Sequence, residues 1–319
     1  MASSKPRSAP RQGTKNKPLE EGLAGLPEAS AGVFCRHPFM RLLALLLTPL
    51  ALLGAETPAP SELKVMTFNL RFASEEMPHA WSVRRPVTKA CLELTAPDLI
   101  GTQEGVMAQL ADMRADLPAY AMIGQGREGG EKGEYMAIFY RRTRFELLET
   151  HDYWLSETPE VVGSKSWKSS LPRMVTWARF RDKASGKSFV FVNTHFDHIS
   201  EEARAQSAKL VRARLEKLPP TDPVLLVGDF NAVTKTSAAY RTFMDGGFLT
   251  NLFLAAPERS GEALNTAHGY RKPRSDGIHI DWILGRGPWK AQTAEVITFE
   301  IKGQTPSDHF PVMVKVTLE

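Results

Sequence analysis

Cysteine is almost missing: the 319 residues hold two, Cys35 and Cys91. This excludes a disulfide framework and any metal site built on thiolates. Cys91 stands in Thr88-Lys-Ala-Cys-Leu-Glu-Leu94, a helix-interior setting that predicts a buried, inert thiol. No apolar run is long enough to cross a membrane; the one candidate, Leu42 to Ala55, is short and broken by Thr48, Pro49 and Gly54. There is no internal repeat. An excess of charge is missing too, once it is located. The chain has 40 Lys and Arg against 36 Asp and Glu, but residues 1–55 hold seven of the basic and three of the acidic ones. The remainder carries 33 of each, so the basic balance gives no support to nucleic-acid binding.

Residues 1–39 are rich in Pro, Ser, Gly, Lys and Arg without any period, which reads as a disordered or misassigned extension. Met40-Arg41, the short apolar run and a small residue before Glu56 read as a signal peptide over 40–55. The expectation is a start at Met40, export to the periplasm or medium, and a mature chain from near Glu56. A linker, 56–62, then leads into one domain, 63–319, acting as a monomer without stable membrane insertion.

Within that domain the patterns alternate between strand and helix. Strands are expected at Leu63–Asn69, Asp98–Glu104, Glu134–Tyr140, Phe145–Trp154, Met174–Arg181, Ser188–His195, Val224–Gly228, Ile278–Leu284, Ala294–Phe299 and Phe310–Leu318. Helices are expected at Ala80–Thr95, stopped by Pro97, at Val106–Leu117, after Ser200, and near Ser237–Met244. The helix after Ser200 opens with Glu201 and Glu202 and ends at Pro219-Pro220, favourable chemistry at both ends. Polar loops fill 125–132, 156–170 and 258–277. Strands and helices alternate early and paired strands dominate later, so an α/β fold with mixed sheets is predicted.

The stretch Pro223-Val-Leu-Leu-Val-Gly-Asp-Phe-Asn-Ala232 organises the rest. A buried strand runs straight into an acid and an amide two residues apart, which point the same way. Other strand ends repeat the pattern: Asn69, Glu104, His195 with Asp197, and Asp281, with Ser307-Asp308-His309 just before the last strand. Buried strands that lead repeatedly to carboxylates call for a cation, because unpaired buried charge is costly. Oxygen donors outnumber imidazoles and no thiolate is at hand, so Mg²⁺ or Mn²⁺ fits better than zinc.

Taken in order, Thr67-Phe-Asn69, Gln103-Glu104, Asn193-Thr-His195, Gly228-Asp-Phe-Asn231, Ile280-Asp281 and Ser307-Asp-His309 resemble the endonuclease/exonuclease/phosphatase superfamily, whose fold is that of deoxyribonuclease I. The resemblance runs from Leu63 to the C-terminus. It implies a four-layer α/β/β/α sandwich and metal-dependent hydrolysis of phosphoester bonds. It also implies Glu104 as the main metal ligand, with Asn69 beside it and Asp308 completing the shell. Asp229 would orient or deprotonate the attacking water, and Asn231 would hold a phosphate oxygen. His309 would face the phosphate with Asp281 behind it, and His195 would stabilise the charged transition state. Asp281 also reads as a strand cap and Asp308 as a turn residue. Asp197 and His198 read either as substrate contacts or as loop anchors. Arg71, Glu134, Arg173 and His268 are candidate pocket residues, and Trp154 and Trp167 read as packing.

The substrate expected from this is a phosphoester on a small molecule, a sugar or a lipid, cleaved as a diester or monoester. An extracellular nuclease is the alternative, and a binding protein on the same fold is a third class.

Overall fold

Side chains alternate with period two along the central strands, and this sorts apolar residues onto two faces. In the computed structural model the described residues are 62–319, so the expectations for 1–39, 40–55 and most of the linker lie outside them. Their elements run in the order β1 (Glu62–Asn69), α1 (Trp81–Thr95), β2 (Leu99–Gln103), α2 (Met107–Asp116), β3 (Tyr120–Ile123), β4 (Ile138–Arg141), β5 (Phe145–Trp154), β6 (Met174–Asp182), β7 (Ser188–His195) and α3 (Glu201–Glu216). They continue with β8 (Val224–Asp229), α4 (Ala238–Met244), β9 (Thr250–Asn251), α5 (Leu252–Ala255), β10 (Glu258–Ser260), β11 (Asp281–Arg286), β12 (Trp289–Val296) and β13 (Val312–Leu318). Glu62, assigned to the linker from sequence, is the first residue of β1.

Two mixed sheets result. One has the order β10-β12-β13-β1-β2-β4-β3 and the other β5-β6-β7-β8-β11-β9. Leu63, Val65, Leu99, Phe189, Phe191, Leu225, Val227 and Ile283 belong to one buried cluster between the sheets. The alternate residues face outward. Met66, Phe68 and Ile100 pack with Cys91, Leu92, Leu110 and Met113 of α1 and α2, while Val190, Val192 and Leu226 pack with Ala208, Val211 and Leu215 of α3 and Phe243 of α4. Each buried Leu or Val contributes roughly 1.5–3 kcal/mol. The layers are therefore α/β/β/α, as the resemblance implies.

Topology puts the chemistry at one end. Each sheet has a central parallel pair joined by a helix: β1 with β2 through α1, and β7 with β8 through α3. Parallel strands end on the same side, so Asn69, Gln103, His195 and Asp229 share an edge. Asp281 opens β11, which runs antiparallel to β8 and pairs Asp281 with Asp229. His195 pairs with Asp229 on the other side. His309 precedes β13, antiparallel to β1, and reaches the same edge. Asn69, His195, Asp229 and Asp281 keep the parity of the inner apolar residues, so each inward stripe is oily at its base and polar at its open end.

A polar layer seals that transition. Gln103 Nε2 donates to Asn193 Oδ1 (2.7 Å) and Thr67 Oγ1 (3.1 Å), bridging the sheets. Asn193 Nδ2 donates to the carbonyls of Thr102 and Ala137. Gly101 lets the sheets close here, since a Cβ would stand 2.4 Å from Val227 and 2.8 Å from Asn193 Oδ1.

Several boundaries differ from the sequence reading. Of Glu134–Tyr140, only Ile138 onward is strand, because Tyr135 makes isolated bridges to Gly105 and Gly126 instead of joining a ladder. The strand expected at Ala294–Phe299 is Trp289–Val296, and β3 and β10 were not foreseen. Ser200 caps α3 as expected, its side chain accepting from the Ala203 amide, a contact contributing about 1 kcal/mol. Among the described residues no helix is long and apolar enough to cross a membrane.

Candidate active site

Asn69 Nδ2 lies between two carboxylates, donating to Glu104 Oε1 and to Asp229 Oδ2, each at 2.9 Å. Because β1 and β8 belong to different sheets, this one amide joins the two halves of the site. Its own oxygen accepts from the Arg71 amide (2.9 Å), and Glu104 Oε2 accepts from the Phe72 amide (3.3 Å). Asp229 is buried, and its second oxygen accepts from the Asn231 amide (2.9 Å). Arg71, Glu104 and Asn231 all have positive φ, at 51°, 63° and 46°. Non-glycine residues rarely adopt this conformation, and functional loops are where it concentrates.

Two imidazoles flank Asp229. His309 Nε2 is 3.9 Å from Asp229 Oδ2, and its Nδ1 donates to the Asp281 carboxylate at 3.1 and 3.3 Å. Burial alone would lower the pKa of this ring, but the charge and hydrogen bond of Asp281, with Asp229 beyond, hold it up at about 10. His195 Nε2 is 3.4 Å from the same Asp229 oxygen and accepts from Asn231 Nδ2 (3.0 Å). Burial drives its pKa well below the ordinary value, and the charges of Arg173 and Arg127 push the same way. Its buried Nδ1 has no hydrogen-bond partner among the described residues. Asp229 is pushed up, by burial first and then by the charge of Asp281.

A cleft of about 230 Å³ opens in front, lined by Arg71, Phe72, Glu104, Glu134, Leu171, Arg173, His195, His198 and Asn231. Arg173 is 3% exposed; it donates to His198 Nδ1 (2.9 Å), while its Nε and one terminal nitrogen have no hydrogen-bond acceptor among the described residues. Behind it, Arg127 pairs with Glu134 at 2.5 Å. Arg127 escaped the sequence reading; the only signal was a cation inside the glycine-rich stretch 125–132.

The other candidates fall into place around this cleft. Asp197 accepts from the amides of Ser170, Ile199 and Ser200 and from the hydroxyls of Ser169 and Ser170, and Arg173 Nε is 3.8 Å away. That makes Asp197 a loop anchor that also faces Arg173. His198 lines the cleft. Asp308 is 3.9 Å from Arg71 Nε and accepts from Ser307 Oγ, but its carboxylate is in neither group of clustered ligand atoms. Those groups are Glu104 with His195 and Asp229, and Asp229 with Asp281 and His309, each within 4.8 Å. His268 lies outside the cleft lining. Its ring packs at a tilt against Phe310, centroids 4.2 Å apart, and its amide donates to the Asp308 carbonyl. Trp154 is core, its Nε1 donating to the Arg127 carbonyl.

Residues 66–309 match the model of the Endonuclease/Exonuclease/phosphatase family. The chain belongs to this family. Endonuclease/exonuclease/phosphatase members are metal-dependent hydrolases of phosphoester bonds, and this protein is such an enzyme. It is similar to a mannosyl-6-phosphatase of Bacteroides thetaiotaomicron, with 36% identity, a TM-score of 0.74, and coverage of 80% of this chain and 99% of that one. It is also similar to a family protein of Bacteroides vulgatus, at 34% identity and a TM-score of 0.75, covering 81% of this chain and 100% of that one. D. rerio TDP2, solved with a single-strand DNA product, shares the fold at 15% identity and a TM-score of 0.63, covering 80% of this chain and 99% of that one.

The donor set fits a divalent cation. Glu104 and Asp229 present hard oxygens that converge on one amide nitrogen, and burial raises the proton affinity of Asp229. Two hard carboxylate oxygens brought this close suit a hard divalent cation, which favours their charged forms.

Proposed function

We propose that this enzyme is an exported phosphatase acting on the phosphate of a small sugar, with Mg²⁺ or Mn²⁺ as its cation. The observation that carries the reading is the cleft. It is small, and it presents Arg71, Arg173, His195, His198 and Asn231, which suits one phosphoryl group with a compact alcohol behind it. The similarity to a mannosyl-6-phosphatase supports a sugar as that alcohol. A nuclease would need a cationic track for a long backbone, and 33 acidic residues balance 33 basic ones beyond residue 55.

In this reading Glu104 would hold the cation, with Asn69 fixing the distance from Glu104 to Asp229. When bound there, the cation supplies positive charge that polarises the phosphoryl group and offsets charge building up on its oxygens. Asp229, its pKa raised, holds the attacking water and takes its proton. His309, kept charged by Asp281, faces the phosphoryl oxygens from one side. Asn231, with the neutral His195 behind it, faces them from the other, and Arg173 receives the outer oxygens. Donors fixed in a poorly solvated cleft stabilise the transition state without reorganising.

Hydrolysis of hexose 6-phosphates, nucleoside monophosphates, a diester and single-stranded DNA, each with Mg²⁺ and with Mn²⁺, tests the proposal. Sugar monophosphates should give a kcat/KM at least about a hundredfold above DNA, and EDTA should abolish both activities. Preference for DNA or the diester would overturn the substrate reading. Export rests on the leader over 40–55: protein expressed from Met40 and recovered outside the cytoplasm should begin near Glu56. Recovery of intact leader in the cytosol alone would remove that part.

A further inference from the structure

Arg84, on α1, is completely buried and has no carboxylate within ion-pair distance among the described residues. Its guanidinium is satisfied by backbone carbonyls instead. Nε donates to His79 O (2.8 Å), one terminal nitrogen to Leu70 O (2.7 Å) and Pro306 O (3.1 Å), and the other to Arg71 O (3.0 Å) and Phe72 O (3.0 Å). These carbonyls come from the loop after β1 and from the turn before Asp308 and His309. Burying a cation with carbonyls and no carboxylate as its partners is costly, so its presence here points to a geometry that is needed.

The need is visible at the far ends of the same peptide units. The Leu70–Arg71 peptide gives its carbonyl to Arg84 and its N–H to Asn69 Oδ1. The Arg71–Phe72 peptide gives its carbonyl to Arg84 and its N–H to Glu104 Oε2. A peptide unit is planar, so turning its oxygen inward turns its hydrogen outward. Two successive units are gripped this way around Arg71, whose φ is +51°, and Gln109 Nε2 adds a second donor to the Arg71 carbonyl (3.0 Å). On the other strap, Thr88 Oγ1 joins Arg84 on the Pro306 carbonyl (3.3 Å).

We infer that Arg84 is a positioning residue for the catalytic centre: by drawing the carbonyls of Leu70 and Arg71 inward, it aims the two N–H groups that orient Asn69 and Glu104, and it ties that loop to the Pro306–His309 turn. Lysine cannot replace it, because one ammonium on a flexible stem cannot reach carbonyls on three sides in a fixed plane. The inference rests on Glu104 as a metal ligand, and the test separates the two.

Mn²⁺ binding to the metal-free protein is measured by calorimetry for the parent, Arg84→Lys, Gln109→Met, Glu104→Gln and Leu92→Ala, together with kcat, KM and Tm. Arg84→Lys should weaken Mn²⁺ binding about 10–100-fold, the cost typical of removing groups that orient metal ligands, and lower kcat more than it raises KM. Gln109→Met keeps Arg84 and removes one donor from the shared carbonyl, so it should weaken binding a fewfold in the same direction. Leu92→Ala, a core truncation on the same helix, should lower Tm while leaving Mn²⁺ affinity and kcat near the parent's. A folded Arg84→Lys with parental Mn²⁺ affinity overturns the inference. So does an unfolded Arg84→Lys combined with an unchanged Gln109→Met. If Glu104→Gln itself leaves Mn²⁺ affinity untouched, the metal reading fails first.

Discussion

The two imidazoles beside Asp229 sit at almost equal distances from the same oxygen, 3.4 and 3.9 Å, yet their electrostatic surroundings are opposite. His309 backs onto Asp281, with Asp229 and Asp308 near, and its pKa is held at about 10. His195 is buried, and beyond Asp229 its charged neighbours are the cations Arg173, Arg127 and His309, so its pKa falls far below the ordinary range. Identical side chains on one edge of one sandwich thus become a fixed cation and a fixed neutral ring. The difference comes from what each strand end carries next to it: β11 opens on a carboxylate, whereas β7 is followed by a loop that buries an arginine. The proposed mechanism uses both, a cation where charge develops and a neutral side that does not repel the approaching metal.

The largest effect should come from removing the group between them. Asp229→Asn keeps the shape and removes the base of the proposed mechanism, so the rate should fall about 10²–10⁴-fold. Stability should move the other way in the metal-free enzyme. Asp229 has a raised pKa, so the folded state keeps its proton to higher pH than the unfolded chain. Such a group contributes most below the ordinary carboxyl range, and the contribution is lost as pH rises through the folded pKa. Asp229→Asn should therefore melt above the parent at pH 8, and scans of rate and melting against pH check both halves. A fully active variant would take Asp229 out of the mechanism.

Next comes the carboxylate that makes the rings differ. His309→Ala should cost about 10²–10³-fold in rate. Asp281→Asn should cost less, about 10–100-fold, because it acts through the ring. Asp281→Asn should also change the pH profile. Without that charge, burial lowers the His309 pKa, so the alkaline loss of activity should move to lower pH. The raised pKa also makes a stability statement. The contribution of His309 is complete below 6.5 and is lost as pH rises through about 10, and Asp281→Asn should flatten that decline. A parental pH profile in Asp281→Asn would show that the ring does not owe its charge to this carboxylate.

Much of this was legible in the sequence, and the exceptions share a cause. The apolar run of β8 announced a buried strand, and Asp229 and Asn231 followed it at the two-residue spacing that shares a face. The cap at Ser200 and the stop at Pro219 were local chemistry. Tyr120–Ile123 was too short, and too close to a helix end, to show a period. Arg84 and Arg127 were invisible because their partners are carbonyls and a glutamate brought together only by the fold. Asp308 read as either a metal ligand or a turn residue, and only the folded turn reveals that it faces Arg71.

On the neutral side, Arg173→Met removes a donor from the cleft and the main charge that depresses the His195 pKa. KM for a phosphate monoester should rise about tenfold, a loss typical of one charge-assisted hydrogen bond, while kcat falls less. A change confined to kcat would move Arg173 from binding to chemistry.

The smallest effect on rate should come from the acid that resembles Asp281 most. Asp197 is also a buried carboxylate just past a strand end, but its hydrogen-bond partners are amides and hydroxyls rather than an imidazole. Burial alone would raise its pKa, and the hydrogen bonds from Ser170, Ile199 and Ser200 overcome this and hold it well below the ordinary value of 3.8. The stability it contributes is present above that value and is lost as pH falls through the folded pKa. Asp197→Asn keeps one acceptor oxygen and loses the charge, so it should destabilise the enzyme by about 2 kcal/mol at neutral pH. The gap from the parent should narrow as pH drops below 4. Per folded molecule, kcat should stay within about threefold. Urea unfolding at pH 7 and pH 3.5, beside initial rates, distinguishes the two acids. A tenfold rate loss with unchanged stability would make Asp197 a counterpart of Asp281 and not an anchor.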